Sequence, residues 1–211
     1  TTGQGLYRDS ELLGLPQALP NLNPAGVMGQ DSVQATPYRG KIFWLWGDTN
    51  VPHYPLGNFR TTCALTPPDV RPESGIAYDY FMDPEKPRQL RAMMPDKEPG
   101  AVWLFGLLNV KTEEHGEVLL AHYGRHKDLG PPVAHGICRF NDERGIFENA
   151  VPLDPAEKWR FPQGNAVRIT GDEGDHFYFA HPFCHTRDKA ALNDLLNPKS
   201  YEALRFDETL K

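Results

Sequence analysis

The sequence predicts an all-β protein of the β-propeller type, and three observations carry that prediction. Strand-like runs recur in cycles of roughly 60–70 residues, each opening on an apolar run, passing a polar turn and returning through an aromatic-rich run. The 20 prolines and 19 glycines punctuate those runs more densely than a helical protein would tolerate. Only residues 189–196 carry a helical pattern. Near-continuous apolar strands suit blades that pack both faces against neighbours. An irregular β-sandwich with long loops is the structural alternative.

The first cycle spans about residues 26–96. Its opening is a hairpin: 29–35 with Ser32, Val33 and Ala35, then Thr36-Pro37-Tyr38-Arg39-Gly40, then 41–49, which is almost wholly apolar and aromatic. Residues 59–66 supply a third strand and 76–81 an outer one, inside a Pro-rich stretch from 67 to 100. The second cycle, about 97–160, holds strands at 101–110, 117–126, 135–140 and 147–151. The third, about 161–211, holds 164–170, the turn 171–175, strand 176–183 and an extended run at 201–206. About three blades do not close a ring of four to eight. A longer product, or a second chain, is therefore expected to complete a single propeller domain over 1–211.

Composition narrows the partners. With 39% hydrophobic and 24% charged residues the chain is globular. A net charge of −6 argues against a nucleic-acid partner, which asks for a basic stripe. No apolar run approaches a membrane span, and no basic-then-apolar leader stands at the start. The opening Thr1-Thr2-Gly3 lacks an initiator Met, as a processed or truncated product would. Cys63, Cys138 and Cys184 are too widely spaced for a disulfide framework or zinc knuckle, and read as buried free thiols.

The hairpin concentrates the chemistry. If a loop of about four residues closes it, Asp31 faces Trp46 and Asp48 lies one pair along. Residues two apart share a face, so Asp31, Trp46 and Asp48 are expected on one side. Diagonal neighbours have Cβ atoms about 7–8 Å apart, a working distance for two carboxylates on one glycosidic bond. The bland reading is that Gly47-Asp48-Thr49 is a turn, its Asp capping backbone N–H groups.

At these residues the chain resembles the five-bladed β-propeller glycosidases, the group of arabinanases and β-fructosidases. Trp46-Gly47-Asp48-Thr49 after Gly29-Gln30-Asp31 is most similar to the endo-D-arabinofuranase-like families, over about residues 26–66; beyond that the likeness is architectural. The resemblance implies a five-bladed ring, a central funnel for a sugar, secretion or a periplasmic location, and Asp31 and Asp48 as the catalytic carboxylates. Better-known members take a general-acid Glu from a later blade, whereas the run 164–170 contains no acid. Glu113, Glu114 and Glu117 sit in a turn and read as solvated. Some members hold a central structural cation; nothing in this sequence specifies one, and no cofactor is expected.

Starts of inner strands and ends of second strands gather at one mouth of a propeller. That rule collects Asp31 and Asp48, and with them Trp103, Arg125, His126, Asn165 and His181, with His185 beside it, as sugar-binding candidates; Trp46 beside the acids is another, and Asn58 and Arg60 reach in from the loop after the first hairpin. His181 and His185 would stand about 13 Å apart in a strand, too far to share a metal. The leading expectation is hydrolysis of an oligo- or polysaccharide by two aspartates. A polysaccharide lyase using His126 or His181 with Tyr123 or Tyr178 and Arg125, and a non-catalytic carbohydrate- or protein-binding propeller, are the alternatives.

Overall fold

The computed structural model describes residues 8–16, 25–51, 61–71, 75–156, 164–180 and 183–204. Asn58, Arg60 and His181 lie outside the described residues. The chain divides into two compact units, 1–103 and 104–211.

The first unit contains a short helix, α1 (Arg8–Leu12), that the sequence pattern did not announce. Its strands are β1 (Gly29–Gln30), β2 (Gln34–Tyr38), β3 (Lys41–Trp46), β4 (Thr49–Asn50), β5 (Thr62–Thr66) and β6 (Asp79–Tyr80). Four of them form an antiparallel sheet in the order β2-β3-β5-β6, and β1 pairs with β4. All are antiparallel, as expected of strands joined by turns.

The hairpin closes more tightly than its sequence suggests. Pairing runs on through Pro37↔Ile42 and Tyr38↔Lys41, leaving only Arg39 and Gly40 in the loop. Both have positive φ, +47° and +73°, the signature of a type I′ turn. Tyr38 is drawn into the ladder because it is buried and meets Phe43 edge-on at 6.3 Å. Pro37 is tolerated because β2 is an edge strand. The four-residue loop is thus corrected to two.

Aromatic packing holds this unit together. Trp46, Ala64 and Tyr80 cluster with Ala25 and Val27. Trp44 stacks on Trp46 at 6.0 Å, and Tyr78 stands edge-on to Trp46 at 5.0 Å. Such pairs add roughly 0.5–1.5 kcal/mol each beyond the area they bury.

The second unit carries two four-stranded meanders, the first three residues of its first strand belonging to the first unit. β7 (Ala101–Thr112), β8 (Gly116–His126), β9 (Ala134–Asn141) and β10 (Ile146–Leu153) lie side by side in chain order. β11 (Asn165–Gly171), β12 (Gly174–Ala180), β13 (Cys184–Lys189) and β14 (Glu202–Ala203) repeat the plan. The helical pattern at 189–196 is realised only as α2 (Leu192–Leu195), since Lys189 still belongs to β13.

These two sheets share one core. Leu108, Val110, Val118, Leu120 and Ile137 pack with Phe177, Phe179, Leu195 and Tyr201. Residues 118–124 of β8 are all buried, so that strand is covered on both faces. β11 is the opposite case, exposed along most of its length. Cys63 and Cys138 are buried free thiols; Cys184 is exposed, against expectation, at the start of β13, where β14 does not reach to pair with it. Among the described residues no helix is long and apolar enough to cross a membrane.

Candidate active site

One register runs through both ladders of the first hairpin. Gly29 pairs with Asn50 and Gln30 with Thr49, then pairing resumes at Gln34↔Leu45 and Ala35↔Trp44. Continuing that register through the gap sets Asp31 opposite Asp48. The backbone agrees: the Asp31 N–H donates to the Asp48 carbonyl at 3.1 Å. The Gly47 N–H donates to the Asp31 carbonyl, also at 3.1 Å, so Asp31 meets two consecutive residues of the returning strand. Three residues on each strand, 31–33 and 46–48, separate the two ladders, so pairing is interrupted with no change of register.

In this register Asp31 stands opposite Asp48, not opposite Trp46 as expected. Trp46 turns inward and is fully buried, so its indole is a core element and offers no platform to a sugar. Asp31 is exposed and Asp48 half-buried. Ser32, between the strands, has φ +52°, a conformation a side chain adopts only at a cost. Gly47 makes room for it. A Cβ at Gly47 would stand 3.1 Å from the Ser32 Cβ and 3.4 Å from Asp31 Oδ1, so the Asp31 carboxylate lies over this glycine.

Electrostatics separate the two acids. Burial pushes the Asp48 carboxyl above its ordinary value, and the neighbouring Asp31 charge pushes it the same way. The Trp103 side chain opposes both, its indole N–H favouring the charged carboxylate. Asp31, Asp48 and Trp103 all belong to the first unit.

A buried polar cluster sits behind this pair, and the sequence reading missed it. The Gln30 side-chain amide donates to Thr62 Oγ1 at 2.9 Å and to Thr49 Oγ1 at 3.5 Å. The two threonine hydroxyls are 2.7 Å apart, and Tyr80 OH donates to Gln30 Oε1 at 3.0 Å. Burial raises the Tyr80 phenol well above its ordinary range, with Tyr78 adding to it. The available signal was positional: Gln30 precedes Asp31 and Thr49 follows Asp48.

The remaining candidates lie in the second unit. Arg125 and His126 close β8 and are half-buried; Arg125 pairs with Ala134. His126 Nδ1 donates to the Gly130 carbonyl at 2.8 Å, and its ring folds over Gly124, where a Cβ would come within 2.9 Å of Nε2. Asn165 opens β11 opposite Ala180 and is exposed. His185 Nδ1 donates to the Phe183 carbonyl at 2.8 Å. Glu113 and Glu114 are exposed; Glu117 faces Lys111 at 3.5 Å.

Two histidines in β8 and β9 form a second buried relay. His135 Nε2 donates to the Asp154 carbonyl at 2.9 Å, so its Nδ1 accepts from His122 Nε2 at 3.1 Å. Burial, then His135 and His126, lower the His122 pKa to about 3, which keeps that ring neutral. Among the described residues no three His, Cys, Asp or Glu side chains converge as a metal-holding group.

No protein-family model matches this chain. A comparison with curated proteins likewise finds no match.

Proposed function

We propose that the chain is a glycoside hydrolase acting on an oligo- or polysaccharide through Asp31 and Asp48. The carrying observation is that the two aspartates meet across the interrupted ladder of one hairpin, one exposed and one half-buried beside an indole. Asp48, whose burial and neighbour both favour the protonated form, is the general acid that donates to the leaving oxygen. Asp31, exposed and close by, is the base on water or the nucleophile at the anomeric carbon. Among the described residues neither carboxylate accepts a backbone N–H, the bond a turn-capping Asp would make.

The scaffold in this proposal is a β-propeller of the five-bladed type. Three four-stranded antiparallel meanders in chain order support it, as does the shared core between the last two. Further blades, from this product or a second chain, would close the ring. Arg125, His126 and Asn165, with Asn58, Arg60 and His181, are the proposed sugar contacts.

The test is product analysis. Incubation with a panel of plant and microbial polysaccharides is expected to release reducing ends without an unsaturated, ultraviolet-absorbing product. An unsaturated product would make the enzyme a lyase, and tight sugar binding with no cleavage would make it a binding propeller.

A further inference from the structure

From the buried cluster we infer that Gln30, Thr49, Thr62 and Tyr80 are positioning residues that set the geometry of the Asp31–Asp48 pair. This inference rests on the proposed acid–base role of those aspartates. The cluster spans four strands: Gln30 is in β1, Thr49 in β4, Thr62 in β5 and Tyr80 in β6. It therefore ties the short ladder that flanks the acids to the larger sheet beside it.

Position and chemistry both support the assignment. Gln30 and Thr49 are cross-strand partners, and each is bonded covalently to one of the two acids in sequence. All four side chains are at least nine-tenths buried, among aromatic and aliphatic neighbours. Apolar side chains of similar volume would fill that space without polar groups to satisfy. Directional bonds at 2.7–3.0 Å do what apolar packing does not: they fix where each strand sits along its neighbour. Between Gln30↔Thr49 and Gln34↔Leu45 the ladder itself is interrupted, so that restraint comes from the side chains behind it.

The experiment replaces Thr49 and Thr62 singly by Val, which keeps shape and removes the hydroxyl, and by Ser, which restores it. Three readouts are taken on each full-length variant: thermal stability, the titration of the Asp48 carboxyl by carbon NMR, and hydrolysis of whichever polysaccharide the wild type cleaves. Thr49→Val is expected to stay folded, to move the Asp48 titration, and to lower kcat by up to about a hundred-fold with little change in KM. Thr49→Ser is expected to restore both. An unmoved Asp48 titration with wild-type kcat in both Val variants overturns the inference. A moved titration in a protein that cleaves nothing leaves the positioning role standing and removes the hydrolase reading. If Thr49→Val does not fold, the same comparison is made with Thr62→Val and with Tyr80→Phe.

Discussion

The Asp31 N–H donates to the Asp48 carbonyl at 3.1 Å where the first hairpin interrupts its ladder. Their side chains therefore start from adjacent backbone positions on two strands. One carboxyl is open to water and the other half-covered. The Asp31 charge favours the protonated form of Asp48, after burial.

The first prediction concerns that coupling. Asp31→Asn removes the second cause of the raised Asp48 pKa and leaves the first, burial. The Asp48 titration should move downward without reaching the value of an isolated carboxyl. Trp103→Phe removes the opposing indole N–H and should move it upward. Carbon NMR titration of both variants reads the two signs directly, and the acid limb of any activity profile should follow them.

A second prediction separates two glycines. Gly47→Ala places a methyl against Ser32 and the Asp31 carboxylate, so a loss of about 1–3 kcal/mol is expected together with reduced activity. At Gly40 nothing lies within 4 Å of an added Cβ, but φ is +73°. Gly40→Ala should cost about 1–2 kcal/mol through backbone strain and leave the Asp48 titration unchanged. Denaturant unfolding of both variants, beside that titration, checks the contrast.

Trp46 supplies the third. Fully buried among Trp44, Tyr78 and Tyr80, it should cost about 3–5 kcal/mol on truncation to Ala. A sugar platform would behave differently, raising KM at unchanged melting temperature. Trp46→Phe with unaltered stability and weakened sugar binding would return the residue to the site.

Much of this was legible in the sequence, and the failures have physical causes. Apolar and aromatic runs between turn residues located the first two meanders strand by strand. The first hairpin's shift was by whole pairs, so strand identity survived the wrong loop length; Tyr38 kept pairing because burial outweighed the turn signal of Pro37. Trp46 was read as a sugar-binding candidate because nothing local announces that Tyr78 and Tyr80 bury it. β13 was hidden by its charged sequence, Cys184–Lys189, in which Thr186 and Asp188 face inward. The polar cluster escaped because Gln30, Thr62 and Tyr80 meet only through tertiary pairing.

Asp188 gives the fourth prediction. It is 2% exposed, and burial raises its carboxyl to about 6. Ser200 Oγ lies 2.9 Å from Asp188 Oδ2, 2.8 Å from the Asp194 carbonyl and 2.6 Å from the Asn197 carbonyl. Burial outweighs the two bonds that favour the charged carboxylate, from Ser200 Oγ and from the Lys189 N–H at 2.8 Å. The unfolded chain loses this proton near 3.8, the folded one near 6. Stability should be highest below the lower value, fall as pH rises between the two, and level off above. Denaturant unfolding across that window should show the slope, and Asp188→Asn should flatten it.

The most direct measurement is reducing-end release by wild type, Asp31→Asn and Asp48→Asn on the polysaccharide that the wild type cleaves. Both variants are predicted to fold normally and to lose turnover, with Asp48→Asn retaining more on a substrate whose activated leaving group needs no proton. Turnover close to wild type in both variants would contradict the account.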